Sequence, residues 1–170
     1  MNDPGVHQAS SASPAAPLLD HAGIAALVPH AGSMCLLHEL SGWDEAHIVC
    51  RAISHRDVAN PLRSAQGLPV TAAIEYAGQA MALHGALLAQ ALGAAMRPGM
   101  LASARSVEFS RLRLDDLAGD LTVSAERLAG DDRQILYRFE LVHAGVTVAS
   151  GRAAVVLELA GVAEPARDGD

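Results

Sequence analysis

The chain has 170 residues, of which 51% are hydrophobic and 18% charged. That balance gives one globular domain a sizeable core and excludes disorder over most of the length, because disordered chains are rich in charge and poor in apolar residues. Twelve basic against nineteen acidic residues leave a net charge of −7, an acidic surface that repels phosphate backbones and makes nucleic acid an unexpected partner.

Residues 1–17 are Ser, Ala, Pro, Gly and Gln in no periodic order, and read as a flexible tail. They hold no basic segment followed by an apolar run, so no secretory signal is expected. Residues 161–170 are similar in character and acidic. No linker or internal repeat separates them, so one domain is expected over 18–160.

Leu18 to Leu27 is compatible with a short helix ending at Val28-Pro29. Met34 to Leu40 and Glu45 to Ile53 read as two strands split by a turn at Ser41-Gly42. Cys35 and Cys50 fall in these apolar runs without CxxC or metal spacing, and read as reduced core thiols of a cytoplasmic protein. Ser54 to Pro69 contains Asn60-Pro61, Gly67 and Pro69 as breakers. It is a long loop, and long loops inside compact domains are often functional.

Thr71 to Leu92 is a long helix built from Ala, Leu, Met and Gln, with Thr71 placed to cap it. Its apolar surround marks a helix enclosed by other structure. The length would span a membrane, but Glu75, Gln79, His84 and Gln90 interrupt it, and no span is expected. Period-two patterns then give four strands: Leu101–Ser110, Leu121–Leu128, Gln134–His143 and Val146–Glu158. Ala144-Gly145 between the last two is a tight hairpin signal. The order of elements is that of an α+β fold: a curled antiparallel sheet that must wrap around one long central helix to bury it. With 3% aromatic residues and 34 alanines, that core is packed from small aliphatic side chains.

One carboxylate stands out. Glu75 lies in the first turn or so of a helix whose neighbours are nearly all apolar, with Gln79 four residues on along the same face. Such a group is either a surface charge complementing the helix dipole or a functional acid in an apolar site. No set of His, Cys and Asp has ligand spacing, so no metal is expected.

Two blocks around this position resemble a known family. Leu27-Val28-Pro29-His30-Ala31-Gly32-Ser33-Met34-Cys35-Leu36-Leu37 resembles the PHRxPFLLVD opening of β-hydroxyacyl-acyl-carrier-protein dehydratases. Pro69 followed by Ile74-Glu75-Tyr76-Ala77-Gly78-Gln79 resembles their PGxxxxExxAQ helix start. The resemblance covers most of residues 20–158 and implies the hotdog fold. It also implies dehydration of a 3-hydroxyacyl thioester to the trans-2-enoyl product. The substrate would be carried on the phosphopantetheine arm of acyl carrier protein, with no other cofactor. In that family a loop histidine takes the C2 proton, usually across a dimer interface, while the helix carboxylate helps expel the C3 hydroxyl.

Carried over, Glu75 is the acid, Gln79 its helix partner, and the Val70 N–H an oxyanion donor. The usual loop histidine position falls at Pro61, within Asn60-Pro61-Leu62-Arg63, and the Gly after Pro69 is replaced by Val70. The pattern NPL…GLPxxxxIEYxxQ is more similar to divergent dehydratase-like proteins of aryl-polyene pigment clusters, which act beside a second, more typical chain. A homodimer or a heterodimer with such a chain is therefore implied. His55 is the loop histidine that reaches the site if the loop folds back. Arg63 is placed to neutralise Glu75 or to receive the phosphopantetheine phosphate, unless it is a solvated loop charge. Asn60 and His30 complete the expected substrate-binding set, although a histidine in the opening block is as suited to bonding backbone. A thioesterase of the same fold, using Glu75 to direct water, and a non-catalytic partner subunit are the alternatives.

Overall fold

The computed structural model describes residues 16–158; nearly all of both expected tails lies outside them. Strands β1 (Leu19–Asp20), β2 (Glu39–Trp43), β3 (His47–Ala52), β4 (Gly99–Phe109), β5 (Leu121–Gly130), β6 (Gln134–His143) and β7 (Val146–Leu157) form one antiparallel sheet in the order β1-β2-β3-β5-β6-β7-β4. Helix α1 is short (His21–Ala25), and α2 (Ala73–Ala91) is the long one.

The sheet curls around α2, the hotdog architecture, and the reason lies in α2 itself. Tyr76, Ala77, Ala80, Leu83 and Ala73 are fully buried, so the helix presents apolar surface in several directions and needs cover on more than one. Strands β3, β5 and β6 supply it, through Ile48, Cys50, Val123, Phe139 and Leu141. Cys35 and Cys50 are both free and buried, and burial pushes the Cys50 thiol up to about 12. No helix among the described residues is long and apolar enough to cross a membrane.

The last four strands form as the period-two pattern requires. Ala144 (φ +47) and Gly145 (φ +77) both turn left-handed at the two-residue hairpin joining β6 and β7, the geometry that matches strand twist. Four local expectations differ. Met34–Leu40 is strand only at its end, because Gly32–Met34 forms a 3-10 turn and β2 begins at Glu39. Leu18–Leu27 is helical only over His21–Ala25, because Leu19 and Asp20 pair with β2. Ser41 and Gly42 lie inside β2 at a register shift; the turn comes later, where the Asp44 carboxylate accepts the N–H groups of Ala46 and His47. Thr71 is not a cap but part of a single 3-10 turn, Val70–Ala72, that leads into α2.

Candidate active site

Glu75 occupies the first turn of α2, where the partial positive charge of the helix N-terminus favours a carboxylate. Its Oε1 accepts from Gln79 Nε2 at 2.9 Å and lies 3.1 Å from His30 Nε2. Among the described residues no hydrogen bond ends on Oε2. The Glu75 and His30 side chains keep 35% and 26% of their surface exposed, so the pair is reachable from outside the protomer.

Gln79 is fully buried and its amide has one possible orientation. Oε1 accepts the Leu36 N–H at 2.8 Å, and Nε2 donates to both Met34 O (2.7 Å) and Glu75 Oε1 (2.9 Å). The oxygen must face the N–H, which turns both amide hydrogens toward the two acceptors. The 28–37 segment reaches this position by its own local chemistry. Pro29 ends the turn after α1, Gly32 adopts φ +57, and one 3-10 turn over Gly32–Met34 brings the chain back to Gln79. His30 sits on the outer arm of that bend.

Tyr76, next to Glu75, points the other way into a second polar cluster. Its hydroxyl lies 2.8 Å from Ser54 Oγ and accepts from Asn60 Nδ2 at 3.1 Å, while Ser54 Oγ donates to Leu36 O. Burial pushes the Tyr76 phenol up. The sequence reading missed this cluster; a tyrosine one residue from an acid carries no signal that it will bond a loop 16 residues away. A groove of about 410 Å³, lined by Ser33, Cys35, Leu36, Ser54 and Asn60 among others, opens between the two segments that Gln79 and Tyr76 hold. An apolar groove of about 390 Å³ opens near Leu27, Trp43 and Leu87. Glu75 and His30 line neither.

The remaining expected site residues are placed elsewhere or already engaged. The Val70 N–H donates to Leu112 O at 3.0 Å, so it is not a free oxyanion donor. His55 is fully buried and its Nε2 bonds Leu117 O. It is tied to the 114–120 loop instead of folding back on Glu75, and burial holds its pKa below the ordinary value. Asn60 is turned inward: Nδ2 donates to Ser54 O and Tyr76, and Oδ1 accepts the Leu62 N–H. It shapes the loop. Arg63 pairs with Asp115 at 2.7 Å and not with Glu75. Asp115 also binds Arg113 and accepts the Leu68 N–H; chiefly through Arg113 its carboxyl falls to about 2. Of the seven residues expected, the fold brings Glu75, Gln79 and His30 into contact.

Chemically, Glu75 is a carboxylate with one oxygen held by the Gln79 amide, in ion-pair contact with His30, and the other open. That arrangement can take or give a proton at a fixed point, the requirement for general acid–base work.

Comparison with known proteins agrees with this frame. Among solved structures, the chain is similar to the dehydratase heterocomplex ApeI:P from Xenorhabdus doucetiae, with 23% identity and a TM-score of 0.73 over 81% of this chain and 91% of that one. A hypothetical thioesterase from Streptococcus pneumoniae, solved with coenzyme A, gives 15% identity and 0.52 over 71% and 84%. The PaaI protein of E. coli, from the phenylacetic acid degradation operon, gives 18% and 0.52 over 80% and 88%. These likenesses establish the fold. No curated protein matches. The family model for ApeP-like proteins, described as ApeP dehydratase, matches residues 22–160, and the chain belongs to that family.

Proposed function

We propose that this chain dehydrates 3-hydroxyacyl thioesters held on the phosphopantetheine arm of acyl carrier protein, as one half of a dehydratase heterodimer in aryl-polyene or fatty-acid-like synthesis. A proton leaves C2, hydroxide leaves C3 with a proton, and the products are the trans-2-enoyl thioester and water. The observation that carries this reading is Glu75 itself, an acid at the start of an apolar helix with Oε1 held and Oε2 open. Membership of the ApeP-like family supports the reaction class.

Two features support a partner chain. Pro61 stands where the related dehydratases carry their loop histidine, so a second proton carrier has to come from elsewhere. Strand β4 is a long sheet edge paired only with β7 and exposed along nearly all its length. Met100, at the start of β4, is 71% exposed, and Leu112, just past the strand's other end, is 88% exposed. An open sheet edge is a template for another strand.

The test supplies 3-hydroxyacyl-carrier protein to the purified chain, alone and mixed with a typical dehydratase-like chain, and follows loss of water by mass spectrometry. Enoyl product from the mixture, abolished by Glu75→Gln, is the expected outcome. Free thiol without enoyl product would make the chain a thioesterase. No product in any pairing would make it a binding subunit.

A further inference from the structure

The two nitrogens around Glu75 Oε1 constrain which proton sits where. Gln79 cannot turn its amide, because Leu36 N–H and Met34 O fix both ends, so Oε1 always faces a donor from that side. An oxygen facing an N–H is the poorer place for a proton, and Oε2 is the oxygen without one. His30 approaches the same Oε1 through Nε2. Its other ring nitrogen, Nδ1, is buried and has no hydrogen-bond partner among the described residues. A proton on Nδ1 would be a buried donor without an acceptor, which costs the full desolvation of that group. A bare lone pair there costs less. The tautomer that suits both surroundings carries the proton on Nε2, the partly exposed nitrogen 3.1 Å from Oε1. Among the described residues, Glu75 is the one charged group within ion-pair distance of His30.

We propose that His30 is a positioning residue for Glu75: its Nε2 edge, in ion-pair contact with Oε1, and the hydrogen-bonded Gln79 amide together keep Oε1 in place, Glu75 exchanges protons through Oε2, and His30 accepts none from the substrate. The histidine of the opening block is then not a substitute for the base missing at Pro61. That base has to be Glu75 itself or a group of the partner chain. The activity consequences rest on the dehydratase reading; the tautomer does not.

Two measurements decide it. Nitrogen-15 NMR of the histidine rings in the whole purified chain, with His30 assigned by comparison with His30→Gln, reads the tautomer without any turnover. The expected signature of the neutral ring is a protonated Nε2 and a bare Nδ1; a neutral ring with its proton on Nδ1 would overturn the proposal. The second measurement compares dehydration by His30→Gln and His30→Leu in the assembled pair. Gln offers an N–H of similar reach. It should retain far more turnover than Leu, which should lose about tenfold or more in kcat, with KM moving less. The pH profile of kcat should keep both limbs in His30→Leu, since His30 carries no proton of the reaction. If His30→Gln is as inactive as Glu75→Gln and one limb of the profile disappears, His30 itself carries a proton and the proposal fails. If neither wild type nor variants dehydrate the substrate, the reaction reading fails while the NMR result still stands or falls alone.

Discussion

Replacing Gln79 by Leu removes three interactions at once while roughly keeping the volume. Leu36 N–H loses its acceptor and Met34 O and Glu75 Oε1 lose their donor. A stranded buried N–H costs about 1–3 kcal/mol, and a hydrogen bond to a charged group is worth about 1.5–3 kcal/mol. The terms share one side chain and do not add fully, so a loss of about 3 kcal/mol is expected. For a domain of this size that lowers Tm by about 6–12 °C, measurable by calorimetry. Gln79→Glu sharpens the test. Its carboxylate keeps an acceptor for Leu36 but turns an oxygen toward Met34 O and Glu75 Oε1, now at 2.7 and 2.9 Å from a donor. Repulsion from both raises the folded-state pKa of the new acid above its unfolded value of about 4.3. Stability is then retained below that unfolded value, where protonation restores a donor, and is lost as pH rises through the folded value. A Tm loss in Gln79→Leu equivalent to under about 1 kcal/mol, or a Gln79→Glu variant no weaker at neutral pH than in acid, would refute the network as the anchor of Glu75.

Gly67 has φ +103, and a Cβ there would lie 2.3 Å from Arg113 Nη2. Gly67→Ala should therefore push the Arg113 guanidinium off Asp115 and cost more than left-handed backbone strain alone, which is about 1 kcal/mol. Gly145→Ala, at φ +77 with nothing within 4 Å, should cost only about 1 kcal/mol of backbone strain; equal losses in urea denaturation would contradict the contact argument. His55 and His84 are fully buried, and burial, the largest cause, lowers both from the ordinary 6.5. The unfolded chain binds those protons first, so stability is full above about pH 6.5 and falls as pH drops through the lower folded values. Thermal melts across that range should slope downward in acid, and His55→Gln should flatten part of the slope; an unaltered slope would count against His55. Met100→Asp with Leu112→Asp should abolish binding to the partner chain while leaving Tm within about 3 °C; sedimentation showing an intact complex would remove β4 from the interface.

Much of the fold was legible because burial imposes a period. Helix α2 and strands β5, β6 and β7 fall within a few residues of their patterns. The first third was less so, for local reasons. Gly42 looks like a turn residue but serves a register shift, while Asp44 makes the real turn with its side chain. In the site, Glu75 and Gln79 were readable from their helical spacing. The approach of His30 was not, because a 45-residue separation is set by the bend at Gly32 and by the Leu36–Gln79 bond. Val70 and His55 misled for the same reason. An N–H at a helix start is free only if no distant carbonyl claims it, and Leu112 O and Leu117 O claim these partners from beyond α2.

The strand order also sets a schedule for biosynthesis. Helix α2 is complete at residue 91, yet β5 and β6, which supply much of its apolar cover, follow only after β4, and the sheet is not finished until Leu157. At about 5–20 residues per second, the ribosome needs about 3–13 s to add what is missing. For that time a nearly all-apolar helix has only the β1–β3 part of the sheet to cover it. The nascent chain thus exposes apolar helix surface until the late strands arrive, the interval in which such chains are most prone to aggregate.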